Sequence, residues 1–575
     1  MKKSVQKISW SYFRLIILLV MISVSVYCAY KAAPSGGPED KTPPEIIRGF
    51  PPTDSVGITS LPYIEIEFSE SIRQTTLPAN YWIIPELESE LEVKWKGNKK
   101  VRFYLNDSLE KNQTYLFTLG TEVKDMRNNG LASPFQIAFS SGSKLDSGSI
   151  SGQVFADRLQ RGIYINAYLV SSPVDDDSLI YQRPRYYTQI DKDGLFRLNY
   201  LQMDKYRLIA LLDGDYDGVY TMEADEIGLP FSDIQLDSMN PEFENFNFYL
   251  IREDTTGPRI VGLDTLLNRE IQIEFSEDIQ IDSNFTIEIF DSSRNEILQV
   301  LGYSYDPQLP SFLNCFLASY SGNPELTVRL SGVTDLFGNS PQILPLSRNF
   351  VAAAAQDTSL PQYLSSIPGH GSSGIPSQSP ITINFDSPVD SSLFKQHFQL
   401  QDTLGHSITR QYNFQNYRKP TLIPLESYES ETTYEILLSL KEMRDIWQRP
   451  FPDTLITIRF NSQSTGDLGE IKGQIFAPDL DWQQAIIEAE PLRGQGEYLA
   501  LVQKDEIYQF DYLPDGLYRM KAVLDVNRNQ QWDRGQTNPW MFAEPFFIRS
   551  DTVKVRKRWT TEGIDFNFQF RGAGE

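Results

Sequence analysis

The sequence predicts an all-β chain, a tandem array of five β-sandwiches behind a signal peptide and a flexible tether. Three observations predict it. Stretches with an apolar residue at every second position, the pattern of a strand with one buried face, recur along the chain. They read Ile64-Glu65-Ile66-Glu67-Phe68-Ser69-Glu70, Ile271-Gln272-Ile273-Glu274-Phe275-Ser276-Glu277 and Ile381-Thr382-Ile383-Asn384-Phe385-Asp386-Ser387. Each belongs to a repeat of about 100 residues with short strands and turn signals, the spacing of a sandwich. The composition, 40% hydrophobic and 12% aromatic, suffices for packed cores and excludes a disordered chain. At 575 residues a single core is excluded too, because cores stop growing well below that length.

Charge and rare residues narrow the function. There are 76 acidic against 52 basic side chains, a net charge of −24. Nucleic acid is therefore excluded as a partner, since binding phosphates needs a positive footprint. Adhesion to a bare anionic membrane by charge alone is disfavoured for the same reason. Two cysteines make neither a disulfide framework nor a four-cysteine zinc site. His370, His397 and His406 fall in one short stretch, and no HExxH, GxSxG or phosphate-loop motif accompanies them. A string of sandwiches offers no obvious cleft for the paired carboxylates of glycoside hydrolysis. The expectation is a protein that is not an enzyme.

At the amino terminus, Lys2, Lys3, Lys7 and Arg14 precede an apolar run from Leu15 to Tyr27, with no acidic residue before Glu39. This is the pattern of a secretory signal, and it is shorter than the ~20 residues that span a bilayer. Cys28 ends the run and resembles the cysteine of the bacterial lipoprotein lipobox. That resemblance implies a signal peptide at 1–27, cleavage before Cys28, and a diacylglyceryl lipid on its thiol. Tyr27 and Ser25 depart from the small residue and the leucine usual there, and a plain signal peptide or an uncleaved anchor is the alternative. Residues 28–42, rich in Pro, Gly and Ala, read as a lipidated tether. Two acyl chains suffice for stable anchoring. With Cys28 lipidated, Cys315 in its apolar context is expected to be a small buried hydrophobe.

The repeats are of two kinds. The first carries the strands above, then a later strand, then a turn aspartate at Asp125, Asp335 or Asp445. These aspartates follow Phe68, Phe275 and Phe385 by 57, 60 and 60 residues, so the copies share a register. The proline-led start Thr42-Pro43-Pro44, the I-x-I-x-F-S-E strand and the turn Asp335-Leu336-Phe337-Gly338-Asn339 resemble the bacterial Ig-like domain of surface-layer proteins. Copy one has Asn128-Asn129-Gly130 in its turn, and copy three has no glycine there. The expected Ig-like domains span 43–142, 256–352 and 358–463. In the second kind, Ile150-Ser151-Gly152-Gln153-Val154-Phe155-Ala156 matches Ile471-Lys472-Gly473-Gln474-Ile475-Phe476-Ala477, and both copies end in Phe-Asn-Phe, at 246–248 and 566–568. This unit is similar to the carboxypeptidase-regulatory-like domain, which implies non-catalytic sandwiches at 147–251 and 467–571 that stiffen and space a surface protein.

Two sets of candidate site residues emerge. Asp213, Asp215 and Asp217 stand at alternate positions before Gly218, resembling the start of a calcium loop; the twelfth position is Ala224, with Glu223 and Asp225 beside it. Asp213, Asp215, Asp217 and Asp225 are thus the calcium candidates, an Asx-rich turn being the plainer account. The counterpart Asp525-Val526-Asn527-Arg528-Asn529, followed by Asp533, carries amides and a positive charge instead. Trp532 and Trp540 near it are candidate ligand-binding aromatics, for a sugar ring or a protein partner. Such residues also commonly close the end of a sandwich. The whole reads as a semi-rigid rod held by lipid at the outer membrane of a Bacteroidota-type bacterium, on its periplasmic or cell-surface face. Its expected role is a protein-binding scaffold or spacer, an accessory of an outer-membrane assembly or secretion machine. The alternative is a glycan-binding accessory lipoprotein of polysaccharide uptake.

Overall fold

The computed structural model describes residues 40–570, apart from 161, 171–175, 223, 268, 319, 321, 354–357 and 494–496. The expected signal peptide, Cys28 and the tether up to residue 39 lie outside the described residues. The regular structure is nearly all β, in tandem sandwiches, and the chain divides into two units, Met1–Leu145 and Asp146–Glu575. Among the described residues no helix is long and apolar enough to cross a membrane.

The first unit is one sandwich. A four-stranded sheet runs in the order Ile46–Phe50, Tyr63–Phe68, Lys100–Tyr104, Glu92–Lys96, and it faces a sheet of Tyr81–Ile84, Thr114–Leu119 and Phe135–Ser140. The period-two pattern sets the inward face. Ile64, Ile66 and Phe68 are wholly buried in a core with Phe103, Phe117 and Phe139. Glu65 and Glu67 turn outward, where Glu65 meets Arg102 across the strand pair.

Within the second unit, residues 260–351 and 363–462 repeat this plan, each with two four-stranded sheets. Ile271, Ile273 and Phe275 line one core, and Ile381, Ile383 and Phe385 the other. The short helix Ser391–His397 starts where Asp390 accepts the Ser392 and Leu393 N–H groups, a side-chain cap for otherwise orphaned donors. Residues 148–249 and 469–567 form the second kind of sandwich. In each, an inner strand takes a late segment alongside it in parallel: Phe248–Tyr249 on Gly148–Phe155, and Phe566–Asn567 on Ile475–Phe476. The shared glycine of the two motifs is explained by this approach. A Cβ at Gly152 would lie 2.0 Å from the Phe246 carbonyl oxygen, and one at Gly473 2.0 Å from that of Ile564.

The expected rod is not what the second unit forms, because its first and last sandwiches touch. Phe570 stacks against Phe231 and Phe243 with ring centroids 4.6 and 5.9 Å apart. The Glu244 N–H donates to the Phe570 carbonyl at 2.8 Å, and Asn245 to that of Gln569 at 2.9 Å. Glu253 accepts the Thr537 N–H at 2.7 Å and its hydroxyl at 2.5 Å. Large apolar surface left on one sandwich is covered by the other, which is the ordinary hydrophobic reason for domains to associate. The middle pair is joined differently. Arg418 holds Glu270 with two bonds of 2.6 Å, Lys419 meets Asp306 at 2.6 Å, and the Trp447 indole donates to the Leu317 carbonyl at 2.8 Å.

If the sandwiches at 148–249 and 469–567 support each other, Phe570→Ala should act on both. It removes a ring that is 4% exposed and should cost about 3 kcal/mol. Hydrogen exchange should quicken at Glu242–Tyr249 as well as near Phe566. Quickening confined to residues beyond 467 would contradict the mutual support.

Candidate functional site

The Asp213 loop connects the paired strands Lys205–Leu212 and Glu226–Gly228. Its aspartates first organise their own backbone. Asp213 accepts the Tyr216 N–H at 2.6 Å and the Gly218 N–H at 2.9 Å, and Asp217 accepts that of Val219 at 2.9 Å. Asp225, fully buried, accepts the Gly214 and Thr221 N–H groups, both at 2.7 Å. Asp213, Asp215 and Asp225 bring one carboxylate oxygen each within 4.8 Å of the others, whereas Asp217 is not in that group. Glu223 lies outside the described residues. Burial, and after it the charge on Asp225, raises the Asp213 carboxyl above its usual range against the pull of its two N–H bonds. Three oxygen donors of this kind suit a hard cation.

The equivalent loop of the last sandwich resolves the same crowding with amides. Asp525 is buried and accepts from the Asn529 and Gln530 N–H groups and from Gln484 Nε2. Asn527 and Asn529 both donate to Asp533. Behind them sits Glu544, 5% exposed, which accepts the Val526 N–H at 2.7 Å and the Asp533 N–H at 3.1 Å. Burial dominates these bonds and, with Asp533 and Asp525 adding like charge, pushes the Glu544 carboxyl up to about 7.

The tryptophans are committed inside the chain. Trp532 packs edge-on against Tyr249 with centroids 4.9 Å apart, tilts against Phe546, and carries the Arg534 guanidinium 4.8 Å from its ring. Trp540 lies under the Arg207 guanidinium at 4.5 Å, and Arg207 is held by Asp233. These aromatic faces therefore meet side chains of the other sandwich rather than solvent. A groove of about 530 Å³ does open between the same two sandwiches, with Arg197, Asn245 and Phe196 on one side and Phe547, Arg549 and Asp551 on the other.

The histidines are dispersed. His406 pairs with Asp402 at 2.8 Å, His370 receives the Arg459 N–H, and His397 ends the helix. Cys315 is fully buried, and burial raises its thiol far above the usual range, so it is chemically quiet.

Two further clusters escape a motif search because their members are far apart in sequence. Asp40, Glu70 and Asp125 form one, and Asp254, Glu277 and Asp335 the other, again with one oxygen each within 4.8 Å of the others. Asp125 and Asp335 are buried, their carboxylates filled with turn N–H groups. Burial first, and then the neighbouring aspartates, raises the Glu70 and Glu277 carboxyls. The signal was present in the repeats, since both glutamates end the I-x-I-x-F-S-E strand and both aspartates open the later turn.

The Glu544 environment has a measurable consequence. Its folded-state pKa lies above the ordinary 4.5, so the folded chain binds this proton more tightly than the unfolded one. The contribution is complete below about 4.5 and is lost as the pH rises through about 7, on the order of 3 kcal/mol in all. Urea unfolding of the wild type and of Glu544→Gln at pH 5 and pH 8 should differ by that pH-dependent amount. Parallel profiles would refute the assignment.

Residues 40–141 and 357–462 match the bacterial Ig-like domain family. The stretch between 256 and 352, expected from the same repeat, is outside the matched residues but has the same two-sheet plan and buried turn aspartate. No curated protein matches the chain. Among solved structures, surface layer protein SbsC, domains 1–6, is 9% identical over 93% of this chain and 70% of that one, with a TM-score of 0.16. An E. coli alpha-2-macroglobulin fragment spanning domains MG0-NIE-MG1 is 13% identical over 51% and 97%, at 0.14. An LD transpeptidase in complex with imipenem is 10% identical over 25% and 74%, at 0.15. Scores this low support no inference about domain arrangement or activity. Two stretches of the chain thus carry the bacterial Ig-like domain, and the sandwich between them repeats their two-sheet plan.

Proposed function

We propose that this protein is a non-catalytic lipoprotein, acylated at Cys28, that serves as a protein-binding scaffold or spacer at a bacterial outer membrane. The observation that carries this reading is where the second unit uses its strongest side-chain interactions. Arg418–Glu270, Trp447–Leu317 and the Phe231–Phe243–Phe570 stack all hold sandwich to sandwich. Such contacts fix the spacing of loops that a partner could meet, which is what a scaffold requires. The basic and apolar start of the chain, ending at Cys28, supports export and a lipid anchor. Bacteroidota-type origin, with the chain on the periplasmic or surface face, belongs to the same proposal, as does an accessory role in an outer-membrane assembly or secretion machine. Calcium at Asp213, Asp215 and Asp225 would stiffen one loop of this frame.

A second reading, glycan binding in polysaccharide uptake, draws on the 530 Å³ groove, whose arginines, amides and phenylalanines offer both polar and stacking contacts. It would operate there rather than at Trp532 and Trp540.

Cys28→Ala should move most of the protein from the membrane to the soluble fraction; unchanged retention would remove the lipid anchor from the proposal. Purification in mild detergent with mass spectrometry should recover a defined outer-membrane protein in stoichiometric amount. Recovery of the chain alone, together with glycan-array binding abolished by Arg549→Ala, would favour the second reading.

A further inference from the structure

The two sandwiches of the second kind share one plan and differ at its edge. In the first, a sheet runs in the order Tyr186–Gln189, Ile163–Leu169, Lys205–Leu212, Glu226–Gly228. In the second, the order is Tyr498–Gln503, Gln484–Pro491, Gly516–Asp525, Phe546–Ile548. Tyr186–Gln189 and Tyr498–Gln503 are thus equivalent edge strands, each paired on one side only among the described residues. In the first copy the chain itself closes the outer face of this sheet. Ile180, wholly buried in the short helix Asp176–Tyr181, packs with Tyr220 on Tyr168, Ile209 and Leu211. At the edge, Tyr187 meets the Tyr164 ring at 6.3 Å, and Gln189 is 2% exposed.

The second copy leaves the equivalent positions open. Tyr498, Ala500 and Val502 face the core, so Leu499 and Leu501 point outward, 61% and 49% exposed. Leu501 ends a row that crosses the sheet through Ile486, Val523 and Phe546. Those three pack against Phe155 and Tyr249 of the other sandwich. The apolar face that joins the two sandwiches therefore continues to the free edge. Edge strands commonly carry charges or proline that discourage pairing. Glu92–Lys96, at the edge of the first Ig-like sandwich, exposes Glu92, Lys94 and Lys96. Tyr498–Gln503 has neither charge nor proline, and its apolar pattern is symmetric about Ala500.

We infer that Tyr498–Gln503 is a docking edge for a second copy of this chain, which pairs with it antiparallel about a two-fold axis through Ala500. Residues directly opposite each other in an antiparallel pair share a face. Centred on Ala500, the pairing sets each Leu499 against Leu501 of the other copy and each Tyr498 against Val502. Four leucines then meet on the outer face. A slide of two residues would set a leucine against Gln503 or Glu497, and a slide of one would turn the leucines of the two copies to opposite faces. The contact is isologous, each copy offering the same strand. One six-residue strand and two leucines from each side make a small interface, so the pairing is a monomer–dimer equilibrium. Nothing in it depends on the lipid at Cys28.

The test is sedimentation velocity of the purified full chain in mild detergent over a concentration series, with Leu499→Lys/Leu501→Lys as the disrupting variant. The wild type should shift from monomer to dimer as concentration rises, and the variant should stay monomeric. Both leucines are exposed, so the variant should melt at the temperature of the dilute wild type. A lower melting temperature would place them in the fold and overturn the inference. Ala500→Cys reads the register. Directly opposite residues of an antiparallel pair have Cα atoms about 4.5–5.5 Å apart, within disulfide reach. Mild oxidation should therefore join two copies at residue 500, a link that mass spectrometry separates from any through Cys28. A wild type that remains monomeric throughout, a dimer that survives the lysine exchange, or an oxidised Ala500→Cys variant without the link would overturn the inference. So would a link from residue 500 to a different protein, which would assign the edge to that partner.

Discussion

One constraint recurs at the end of every Ig-like sandwich: a carboxylate with no exposure to water. Asp125, Asp335 and Asp445 are at most 1% exposed, and a charge so placed persists only if its surroundings satisfy it. Backbone does most of this, with two turn N–H groups meeting Oδ1 in each copy. The geometry forces the residue three positions on into the left-handed region. Gly338 takes it at no steric cost, while Asn128 and Gln448 take it at φ 71° and 65°. The missing glycine of the third copy therefore did not change the turn. The same carboxylate fixes the asparagine or arginine that grips the incoming chain, so the joint between sandwiches follows from one buried charge.

The second unit adds a constraint of a different kind. Aromatic residues of the sandwiches at 148–249 and 469–567 interleave, as Phe155 and Tyr249 pack with Trp532 and Phe546 in one shared cluster. Residues nearly 300 positions apart thus belong to one packed interior. Motion of one sandwich against the other would expose these rings, so the hydrophobic effect opposes it. The polar middle joint, Arg418 on Glu270, resists for another reason: Glu270 is only 6% exposed and would be stranded without its partner.

How much of this was legible in the sequence depends on the range of the interaction. Alternation in Ile64–Phe68 and its copies is a local pattern with a two-residue period, and it identified the strands, their buried faces and the all-β class. The repeat register located the turn aspartates. Two things were hidden. The contact that turns the expected rod back on itself joins residues far apart in the chain, 284 and 324 positions for two of its hydrogen bonds, and nothing local marks Phe570 or Thr537 as its members. The exposed-looking Trp532 and Trp540 were read as binding aromatics because composition shows a ring but not what covers it. The triads were hidden in the same way, each drawing one acid from the linker, one from a strand end and one from a turn. In the Asp213 loop, where ligands are neighbours in sequence, three of the four candidate aspartates do gather, and Asp217 instead serves the Val219 N–H.

The two ways of completing the Ig-like turn differ in what they make of the joint. A guanidinium is covalently part of the chain, always charged, and directional, so the contact of Arg449 with Ser359 is present whenever the sandwich is folded. An asparagine amide makes the same two bonds but brings no charge, and it leaves Glu277 facing Asp254 and Asp335. The chain thus carries both versions, a guanidinium that holds Asp445 and Ser359 and an amide that holds Asp335 and Asp254 while three carboxylates stay close together.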